Sequence, residues 1–431
     1  MNIKIFLCAL IGLSTLRCGV SNTEINDIAE DYVHLVLEIG RYDQVYIDAY
    51  FGPEEWIPEP IPETSAVEFP SRELFDRAES LLTRLHNIDT TGLDDLNKMR
   101  LRNLKWHLNG AKAKIEIESG KKLSYDEESL AYFGFIEPYK GDEYYLELLK
   151  ELDSLLPGKG DIPKRYKDYR ERFSVKPEDV ETLFMDALRV ARDITLENIE
   201  LPKNEDFEVK FIADATYGGY SEYMGNNKSH LTINTDFYYL DYNLPLAAHE
   251  SYPGHHVRGC LLDNNLVKKY GWIEFTVLPL YSPLYVLDEG CAEIAHDMIM
   301  TSSQQIDYLK KILNMMDSDT LEAERCYSIN KLRDNITRSS IESFRLYLDG
   351  QLDRDSTISR LINISLLNQP ERALKFAEQY RTYDITYVVG KDIILDILGE
   401  ENLGTAEGWR RLVEIDSDPV SILDSLIYRN Q

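Results

Sequence analysis

Apolar side chains recur every three or four residues along most of this chain, which is the spacing of amphipathic helices. A first helix is predicted from residue 22 to about residue 51, with Asn22 or Thr23 as its cap. The same spacing predicts helices over residues 71–85, 91–117, 177–198, 284–300, 303–316, 319–348, 355–367, 370–380, 384–399 and 407–415, two shorter helices between 124 and 159, and a helical segment over 244–270. The five prolines of residues 52–70 predict a surface loop.

The pattern changes between Pro202 and Leu244, where polar and apolar residues alternate. Residues 209–213 and 230–234 are short and rich in β-branched side chains, so each is predicted to form a strand. The glycines and tyrosines of residues 217–223 predict a flexible connection between the two strands. The chain is therefore expected to be mainly α-helical, with one small antiparallel β-sheet just ahead of the helical segment that begins at Leu244.

Length and charge limit the classes of protein that fit. A chain of 431 residues can bury a large core and can form two or three structural domains. The formal net charge of −28 excludes a nucleic-acid partner, because nucleic-acid phosphates would be repelled. We interpret the acidity as a well-solvated surface. Three regions are predicted: a signal peptide over residues 1–18, a helical N-terminal region over 19–202, and a C-terminal region over 203–431.

The first residues have the pattern of an export signal. Lys4 supplies a positive charge, and residues 5–16 form an apolar run of twelve residues. That run is shorter than the roughly 20 residues of a membrane-spanning helix, and it suits a secretory signal. Cys18 stands where a bacterial lipoprotein carries its lipid, although Arg17 departs from the small residue that such processing prefers. We expect an exported protein, either periplasmic or attached to a bacterial membrane through a lipid anchor at Cys18.

The cysteines beyond that signal do not predict a disulfide framework. Cys260, Cys291 and Cys326 are an odd set and none belongs to a CxxC pair. Sequence alone leaves one bridge open without showing which pair forms it. We expect these residues to be buried small side chains rather than metal ligands.

The chain contains only eight histidines, and three of them lie in the segment 247–256 beside a glutamate. Neutral imidazole and carboxylate groups are ligands of divalent metals, zinc above all. The pair His249–Glu250 matches the start of the HExxH pattern, in which histidine binds zinc and glutamate acts as general base. The spacing differs from that pattern, because His255 and His256 come six and seven residues after His249.

An unbroken helix would keep these histidines apart. Six residues advance a helix by about 9 Å and turn it by about 240°, and seven residues advance it by about 10.5 Å. Pro253 would clash with the carbonyl group of His249, and Gly254 is free to adopt unusual backbone conformations. The sequence therefore predicts a break or bulge between the histidines. Such a break can bring His249 and a later histidine to one metal ion.

A catalytic zinc site needs a third protein ligand. The strongest source is the segment 288–296, where Glu289 and Glu293 lie four residues apart on one face of a predicted helix, with His296 one turn further. Two carboxylates on a core-facing surface repel each other unless a cation lies between them. A solvent-facing acidic pair is the alternative, and we favour the metal interpretation because of the upstream histidine cluster.

These motifs resemble a known family. The segment His-Glu-Ser-Tyr-Pro-Gly-His-His, from His249 to His256, is similar to the HExxPGHH signature of the bacterial domain-of-unknown-function family 885, regarded as zinc-peptidase-like proteins. Glu289-Gly290-Cys291-Ala292 resembles that family's EGWA segment with cysteine in place of tryptophan. Tyr387 and Gly390 match its YxxG element, although Arg381-Thr382-Tyr383 replaces the usual Pro-Gly-Gln. The resemblance covers about residues 210–400, and it implies a large helical metallopeptidase-like fold.

The cluster is also similar to that of dipeptidyl peptidase III, whose lengthened HExxxH motif ends in Gly-His. That resemblance implies that His249, His255 and Glu289 bind the metal and that Glu250 is the base. It leaves His256 as a supporting or oxyanion-stabilising group, with the choice between His255 and His256 as second ligand still open.

These residues predict a zinc-dependent hydrolase, most simply a peptidase that binds a peptide substrate, with residues 203–431 as its metal-binding catalytic region. Zinc lowers the pKa of bound water and polarises the scissile carbonyl, while Glu250 moves the proton to the leaving amine. Tyr387 is the candidate that stabilises the oxyanion. Residues 230–234 could pair with an extended substrate. Two alternatives stay open: a non-catalytic exported lipoprotein that binds metal or peptide, and a zinc hydrolase of non-peptide amides.

Overall fold

The computed structural model describes residues 7–61 and 67–430, with side-chain environments for 22–61 and 67–426. Residues 1–6 of the predicted export signal lie outside this description, and so do the side chains of its other residues, including Cys18. In the described part of the chain, no helix combines the length and apolar character required to cross a membrane.

Helices dominate the fold, as the periodicity predicts. They are α1 (Leu7–Gly40), α2 (Ser71–Asn87), α3 (Asp95–Glu118), α4 (Tyr125–Phe133), α5 (Asp142–Leu155), α6 (Ile162–Arg170), α7 (Pro177–Asn198), α8 (Asn243–Glu250), α9 (His255–Leu262), α10 (Pro283–Ile299), α11 (Ser302–Met315), α12 (Ala323–Thr337), α13 (Ser339–Leu348), α14 (Arg354–Asn363), α15 (Pro370–Tyr380), α16 (Ile385–Leu398), α17 (Ala406–Ser417) and α18 (Pro419–Asn430). The predicted mainly α-helical class is confirmed. Helices α6 and α18 were not predicted, and the single predicted helix over 319–348 is divided into α12 and α13.

The first predicted helix ends earlier than residue 51. Helix α1 stops at Gly40, and Asp43 then forms a turn in which its carboxylate accepts the backbone N–H of Val45 at 3.2 Å. The chain continues as strand β1 (Ile47–Tyr50), which pairs antiparallel with β5 (Val277–Pro279). The prediction of a helix over residues 47–50 is therefore wrong. These residues form a strand because a segment far away in the sequence supplies their hydrogen bonds.

The predicted sheet exists, and its topology differs from the expected one. Strands β2 (Asp206–Ile212), β3 (Gly219–Tyr223) and β4 (Lys228–Asn234) are ordered β2–β4–β3. The two predicted strands, β2 and β4, pair parallel, and the supposed flexible connection forms β3, which pairs antiparallel with β4. Strand β4 is thus central and has both edges occupied, so the predicted pairing of residues 230–234 with a substrate is wrong. Strands β2 and β3 form the two edges.

Two apolar cores hold the helices together. The first contains α5–α7, β4, α8 and α17, and the second contains α1–α4 with α13. Each core draws residues from both sides of residue 202, so the predicted regions do not correspond to separate cores. Helix α10 takes part in both: Leu287 packs in the first core and Val286 in the second. The segment that carries Glu289 is therefore held by packing on several sides.

Helices α10 and α16 meet at two glycines. A Cβ atom added to Gly290 would overlap the backbone carbonyl group of Gly390, and one added to Gly390 would overlap the carbonyl oxygen of Val286. The two backbones thus touch directly, with no side chain between them. This contact brings Tyr387, one turn before Gly390, alongside Glu289, the neighbour of Gly290.

This contact predicts the cost of adding one methyl group. Gly390→Ala should lower the free energy of unfolding by about 1–3 kcal/mol, because the helices must separate or bend. Gly92→Ala is the matched control, since nothing lies within 4 Å of its added Cβ, and it should change stability by less than about 0.5 kcal/mol. Chemical denaturation midpoints of the two variants measure the difference. Equal midpoints would contradict the close helix contact.

Candidate metal centre

The predicted break between the histidines is confirmed. Helix α8 ends at Glu250 and α9 begins at His255. The backbone N–H of Gly254 donates to the carbonyl oxygen of Ala248 at 3.0 Å, so the chain folds back over the last turn of α8. Glycine is required there because an added Cβ would overlap the carbonyl oxygen of His249. The requirement for glycine comes from the close approach of two backbone segments. It does not come from a positive φ angle, because the φ angle of Gly254 is −70°.

The break brings three donor atoms together. The Nε2 atoms of His249 and His255 lie 3.2 Å apart. Glu289 Oε2 lies 3.3 Å from the first of these nitrogens and 3.7 Å from the second. A tetrahedral ion with bonds of about 2.0–2.1 Å holds its ligand atoms roughly 3.3 Å apart. Within the described residues, these three form the one group of histidine, cysteine and carboxylate side chains that could hold a metal ion.

Carboxylates behind the two rings orient them. His255 Nδ1 lies 3.1 Å from Asp288 Oδ2, and His249 Nδ1 lies 3.6 Å from Glu293 Oε1. A proton on Nδ1 that faces a carboxylate leaves the Nε2 lone pair free for the centre of the cluster. Asp288 is itself held by the buried Arg258, whose Nη1 donates to Asp416 Oδ1 at 2.6 Å.

The carboxylates around the site raise the pKa of His249 and of His255. Burial lowers the pKa of His255, but the carboxylates of Asp288 and Glu289 outweigh burial and raise its pKa to about 10. Burial also lowers the pKa of His249, and the Glu289 carboxylate reverses that effect, so the net shift is upward. A field that favours a proton on these rings equally favours a metal cation between them.

Glu289 has one satisfied oxygen and one free oxygen. Its Oε1 accepts a hydrogen bond from the Tyr383 hydroxyl at 2.5 Å. Its Oε2 is buried and accepts no hydrogen bond from any described residue. A buried carboxylate oxygen without a partner is costly unless a cation is nearby. Donor types, spacing and this free oxygen therefore all fit a divalent metal ion.

Glu250 lies beside the donor cluster at the wall of a cleft of about 280 Å³. Burial raises the pKa of its carboxyl group, and the two neighbouring histidines partly oppose that rise. Its side chain packs against strand β3, where an added Cβ on Gly219 would come within 2.5 Å of Glu250 Oε1. The glycine thus leaves the space in which the glutamate carboxylate is held.

The predicted role of His256 in the chemistry has to be corrected. Its ring is completely buried, and it does not belong to the group of possible metal ligands. Its Nδ1 lies 2.8 Å from Ser229 Oγ, and its Nε2 lies 3.1 Å from Glu205 Oε2. Both nitrogens are occupied by residues of the sheet region. His256 therefore ties α9 to the sheet, and of the two candidate histidines only His255 reaches the donor cluster.

Tyr387 does reach the site. Its ring stacks near that of His249, with centroids 6.2 Å apart and planes inclined by 26°, and it lines the same cleft as Glu250. Burial raises the pKa of its hydroxyl group, and the nearby carboxylates of Glu289 and Glu250 raise it further. The hydroxyl consequently stays protonated and can donate a hydrogen bond.

Sequence reasoning missed two supporting residues. Tyr383, which holds Glu289, belongs to the tripeptide that departs from the family pattern, and that departure was its only signal. Arg258, behind His255, was hidden because an arginine within a predicted helix is usually solvent-exposed. The free cysteines Cys260, Cys291 and Cys326 are all buried, as predicted.

The fold and site together define a class: a mainly α-helical protein whose broken helix and buried glutamate form a two-histidine, one-carboxylate group that can hold a metal ion. No protein-family model matches the chain, and no curated protein matches it significantly. The resemblance to family 885 therefore stays a prediction.

Comparison with solved structures gives distant likenesses. A carboxypeptidase of Pyrococcus furiosus is 14% identical over 92% of both chains, with a TM-score of 0.39. A protein named BsuCP is 10% identical over 94% of this chain and 99% of its own, with a TM-score of 0.40. The M32 carboxypeptidase of Deinococcus radiodurans R1 is 12% identical over 95% of this chain and 91% of its own, with a TM-score of 0.35. With scores this low, we draw no function from these likenesses.

The geometry predicts which histidine the metal requires. His255→Ala should abolish binding of one divalent ion per chain, because it removes one of three donors. His256→Asn should keep the ion and lower stability by about 1–3 kcal/mol, because it disturbs buried hydrogen bonds. Metal content by mass spectrometry and thermal unfolding measure the two effects. Retention of metal by His255→Ala, with loss in His256→Asn, would reverse the assignment.

Proposed function

We propose that this chain is a zinc-dependent peptidase. The observation that supports it best is the convergence of His249, His255 and Glu289 on one point, with the buried carboxylate of Glu250 beside them. Two imidazoles and one carboxylate are the donor set of a catalytic zinc site with one position left for water or substrate. Zinc bound by these residues would lower the pKa of a water molecule and polarise the scissile carbonyl group.

Glu250 acts as the general base in this proposal. It follows a metal ligand directly in the chain, faces the cleft, and has a carboxyl pKa that burial raises above the ordinary value. A raised pKa makes the carboxylate a stronger proton acceptor near neutral pH. The same oxygen can later deliver the proton to the leaving amine. Tyr387, whose hydroxyl stays protonated, donates a hydrogen bond to the developing oxyanion.

Strand β3 supports peptides as substrates rather than other amides. Asn234 donates its backbone N–H to the carbonyl of Gly218, and Met224 donates to the carbonyl of Lys228, so alternate residues of this segment are bonded to β4. The register then directs the backbone groups of Gly219 and Ser221 away from β4. An extended peptide can add to this edge by strand pairing, with its scissile bond next to Glu250.

One part of the proposal, export, comes from the sequence alone. Export through residues 1–18, with or without a lipid at Cys18, belongs to the same picture of a periplasmic or membrane-attached peptidase. The alternatives of a non-catalytic binding protein and of a hydrolase of non-peptide amides are the outcomes against which the following experiment discriminates.

The central test combines metal analysis with activity on a peptide library. We expect about one zinc per chain in the full-length protein. His249→Ala should lose both zinc and hydrolysis, whereas Glu250→Gln should keep zinc and lose hydrolysis by at least about 100-fold. A wild-type protein that binds zinc without cleaving any peptide would favour the non-catalytic alternative. Full activity of Glu250→Gln would exclude its role as base.

A pair of neighbouring glycines tests the position of the base. Gly219→Ala should lower kcat roughly 100-fold, because the added methyl group displaces the Glu250 carboxylate by a large part of an ångström. Gly218→Ala is the matched control, since its Cβ would meet only the ring of Tyr242 at an ordinary 3.6 Å. Steady-state kinetics and circular dichroism of both variants provide the comparison. Similar kcat values would show that β3 does not position Glu250.

A further inference from the structure

Asp48 lines the cleft that contains Glu250, and the proposed mechanism does not use it. It belongs to β1 (Ile47–Tyr50), which forms one wall of this cleft, while β3 forms another. The two strands are tied together, because the Tyr220 hydroxyl donates a hydrogen bond to the backbone carbonyl of Asp48 at 2.6 Å. A peptide on the edge of β3 would therefore lie beside Asp48.

The backbone of β1 is irregular at this residue. The register of β1 with β5 shifts between Ile47 and Ala49, so that two steps along β1 correspond to one step along β5. Asp48 is the extra residue of this β-bulge. Bulges redirect a side chain, and they are common next to active sites. The regular alternation of β1 is thus broken at the one residue of the strand that carries a charge.

One oxygen of the Asp48 carboxylate is bonded and the other is open. Oδ2 accepts a hydrogen bond from the Tyr285 hydroxyl at 2.5 Å. Among the described residues, no group donates a hydrogen bond to Oδ1, and no lysine, arginine or histidine nitrogen lies within ion-pair distance of the carboxylate. Because Asp48 is only half-buried and lines the cleft, Oδ1 is available to a ligand.

The other carboxylates that line the cleft already have a partner or a role. Asp288 pairs with Arg258, and Glu289 would be balanced by a bound metal ion. Glu250 is the proposed base. Asp48 is left as the carboxylate without a positive partner, so a positively charged group of a ligand is favoured beside it.

The charge of Asp48 is incompletely stabilised without a ligand. Burial raises the pKa of its carboxyl group to about 7, although the hydrogen bond from Tyr285 opposes that rise. A cation beside the carboxylate would lower this pKa again, because it stabilises the charged form. The ionised form of Asp48 and a cationic group of a ligand therefore stabilise each other.

Aromatic rings line the same cleft. Those of Tyr220 and Tyr285 carry the hydroxyls that hold Asp48. The others belong to Tyr217, Tyr223, Phe51, Phe376, Tyr380, Tyr383 and Tyr387. The face of an aromatic ring attracts an ammonium or guanidinium group. A hard inorganic cation would instead need several oxygen ligands at once, and Asp48 is not part of any such group in the described chain.

A cation held by Asp48 would lie close to the scissile bond. Tyr220, whose hydroxyl contacts Asp48, directly follows Gly219, and Gly219 lies against Glu250. The charges of His255 and Glu289 also act on the Asp48 carboxyl group. The cation therefore belongs to a residue at or beside the cleaved bond. An amino-terminal α-ammonium group meets this condition, and so does a lysine or arginine side chain.

We propose that Asp48 binds a positively charged nitrogen group of the substrate, an ammonium or guanidinium group carried by a residue next to the scissile bond. Asp48 is thus a specificity-determining residue, and peptides with such a group are the preferred substrates. This inference rests on the proposed peptidase function. The same carboxylate disfavours acidic residues at that position, because two negative charges would face each other.

The first test measures kcat/KM of zinc-loaded wild type on two pairs of peptides. One pair is a peptide without lysine or arginine, with a free or an acetylated amino terminus. The other pair is acetylated and carries lysine or norleucine at one position, which is moved along the peptide. The cationic member of at least one pair should be cleaved roughly tenfold or more faster, because the neutral member lacks a charged hydrogen bond.

The two pairs distinguish the sources of the cation. A preference in the first pair identifies the α-ammonium group, and a preference in the second identifies a side chain. Equal kcat/KM values within both pairs would refute the subsite and leave the peptidase function intact.

Substitution of Asp48 assigns the preference to this residue. Asp48→Asn keeps the size of the side chain and an acceptor for the Tyr285 hydroxyl, and it removes the charge. It should raise KM for the cationic peptide roughly tenfold and remove most of the preference. Asp27→Asn is the matched control, because Asp27 is exposed on α1 and does not line the cleft. A preference that survives in Asp48→Asn would overturn the proposal.

A binding measurement separates this inference from catalysis. Zinc-loaded Glu250→Gln should bind the cationic member of a pair roughly tenfold more tightly than the neutral member in calorimetry, and Asp48→Asn in the same background should bind both alike. Equal affinities within both pairs in zinc-loaded Glu250→Gln would disprove the cation subsite. A clear preference there, with no hydrolysis by wild type, would support the subsite and reject the peptidase function.

Discussion

The site depends on one constraint, the close approach of three side chains. The Nε2 atoms of His249 and His255 lie 3.2 Å apart, and the buried Oε2 atom of Glu289 lies beside them. Nitrogen lone pairs that face each other at this distance repel, and a proton or a cation between them removes the repulsion. The chain maintains this arrangement by folding back at Gly254, by fixing both rings against carboxylates, and by holding Glu289 through Tyr383. The fold therefore provides a group of donors at this point that could hold a metal ion.

The packing around this cluster follows from small residues at a few contacts. Gly290 and Gly390 allow α10 and α16 to touch, Gly219 gives space to Glu250, and Gly254 lets the chain pass over α8. These glycines lie next to, or within a few residues of, the side chains that would perform the chemistry. The positions of the polar groups thus result from backbone approaches that any larger residue would prevent.

Much of this could be predicted from the sequence. Helical periodicity located most helices, and the incompatibility of Pro253 with a continuous helix predicted the break that brings His249 and His255 together. The choice between His255 and His256 could not be made, because both follow Gly254 and only the position of the sheet decides which ring joins His249 and Glu289. Tyr383 and Arg258 were missed for a related reason: their partners lie far away in sequence.

The strands were the weakest part of the prediction. Short alternating segments indicate strands but not their partners, and pairing depends on residues elsewhere in the chain. Strand β1 was taken for the end of a helix because its partner β5 lies more than 200 residues later in the chain. The parallel pairing of β2 with β4 placed the predicted substrate strand in the centre of the sheet, so β3 is the edge strand that lies beside Glu250.

Helix α10 belongs to both apolar cores, and this has a thermodynamic consequence. Because Glu289 lies on that helix while the two histidines lie on α8 and α9, a bound ion would add a cross-link to the packing and to the ion pairs that Asp288 makes with His255 and Arg258. An ion that binds only the folded chain raises the free energy of unfolding. At concentrations well above the dissociation constant, the increase grows with the logarithm of the ratio of ion concentration to dissociation constant. Availability of metal would then regulate the lifetime of the folded protein as well as its chemistry.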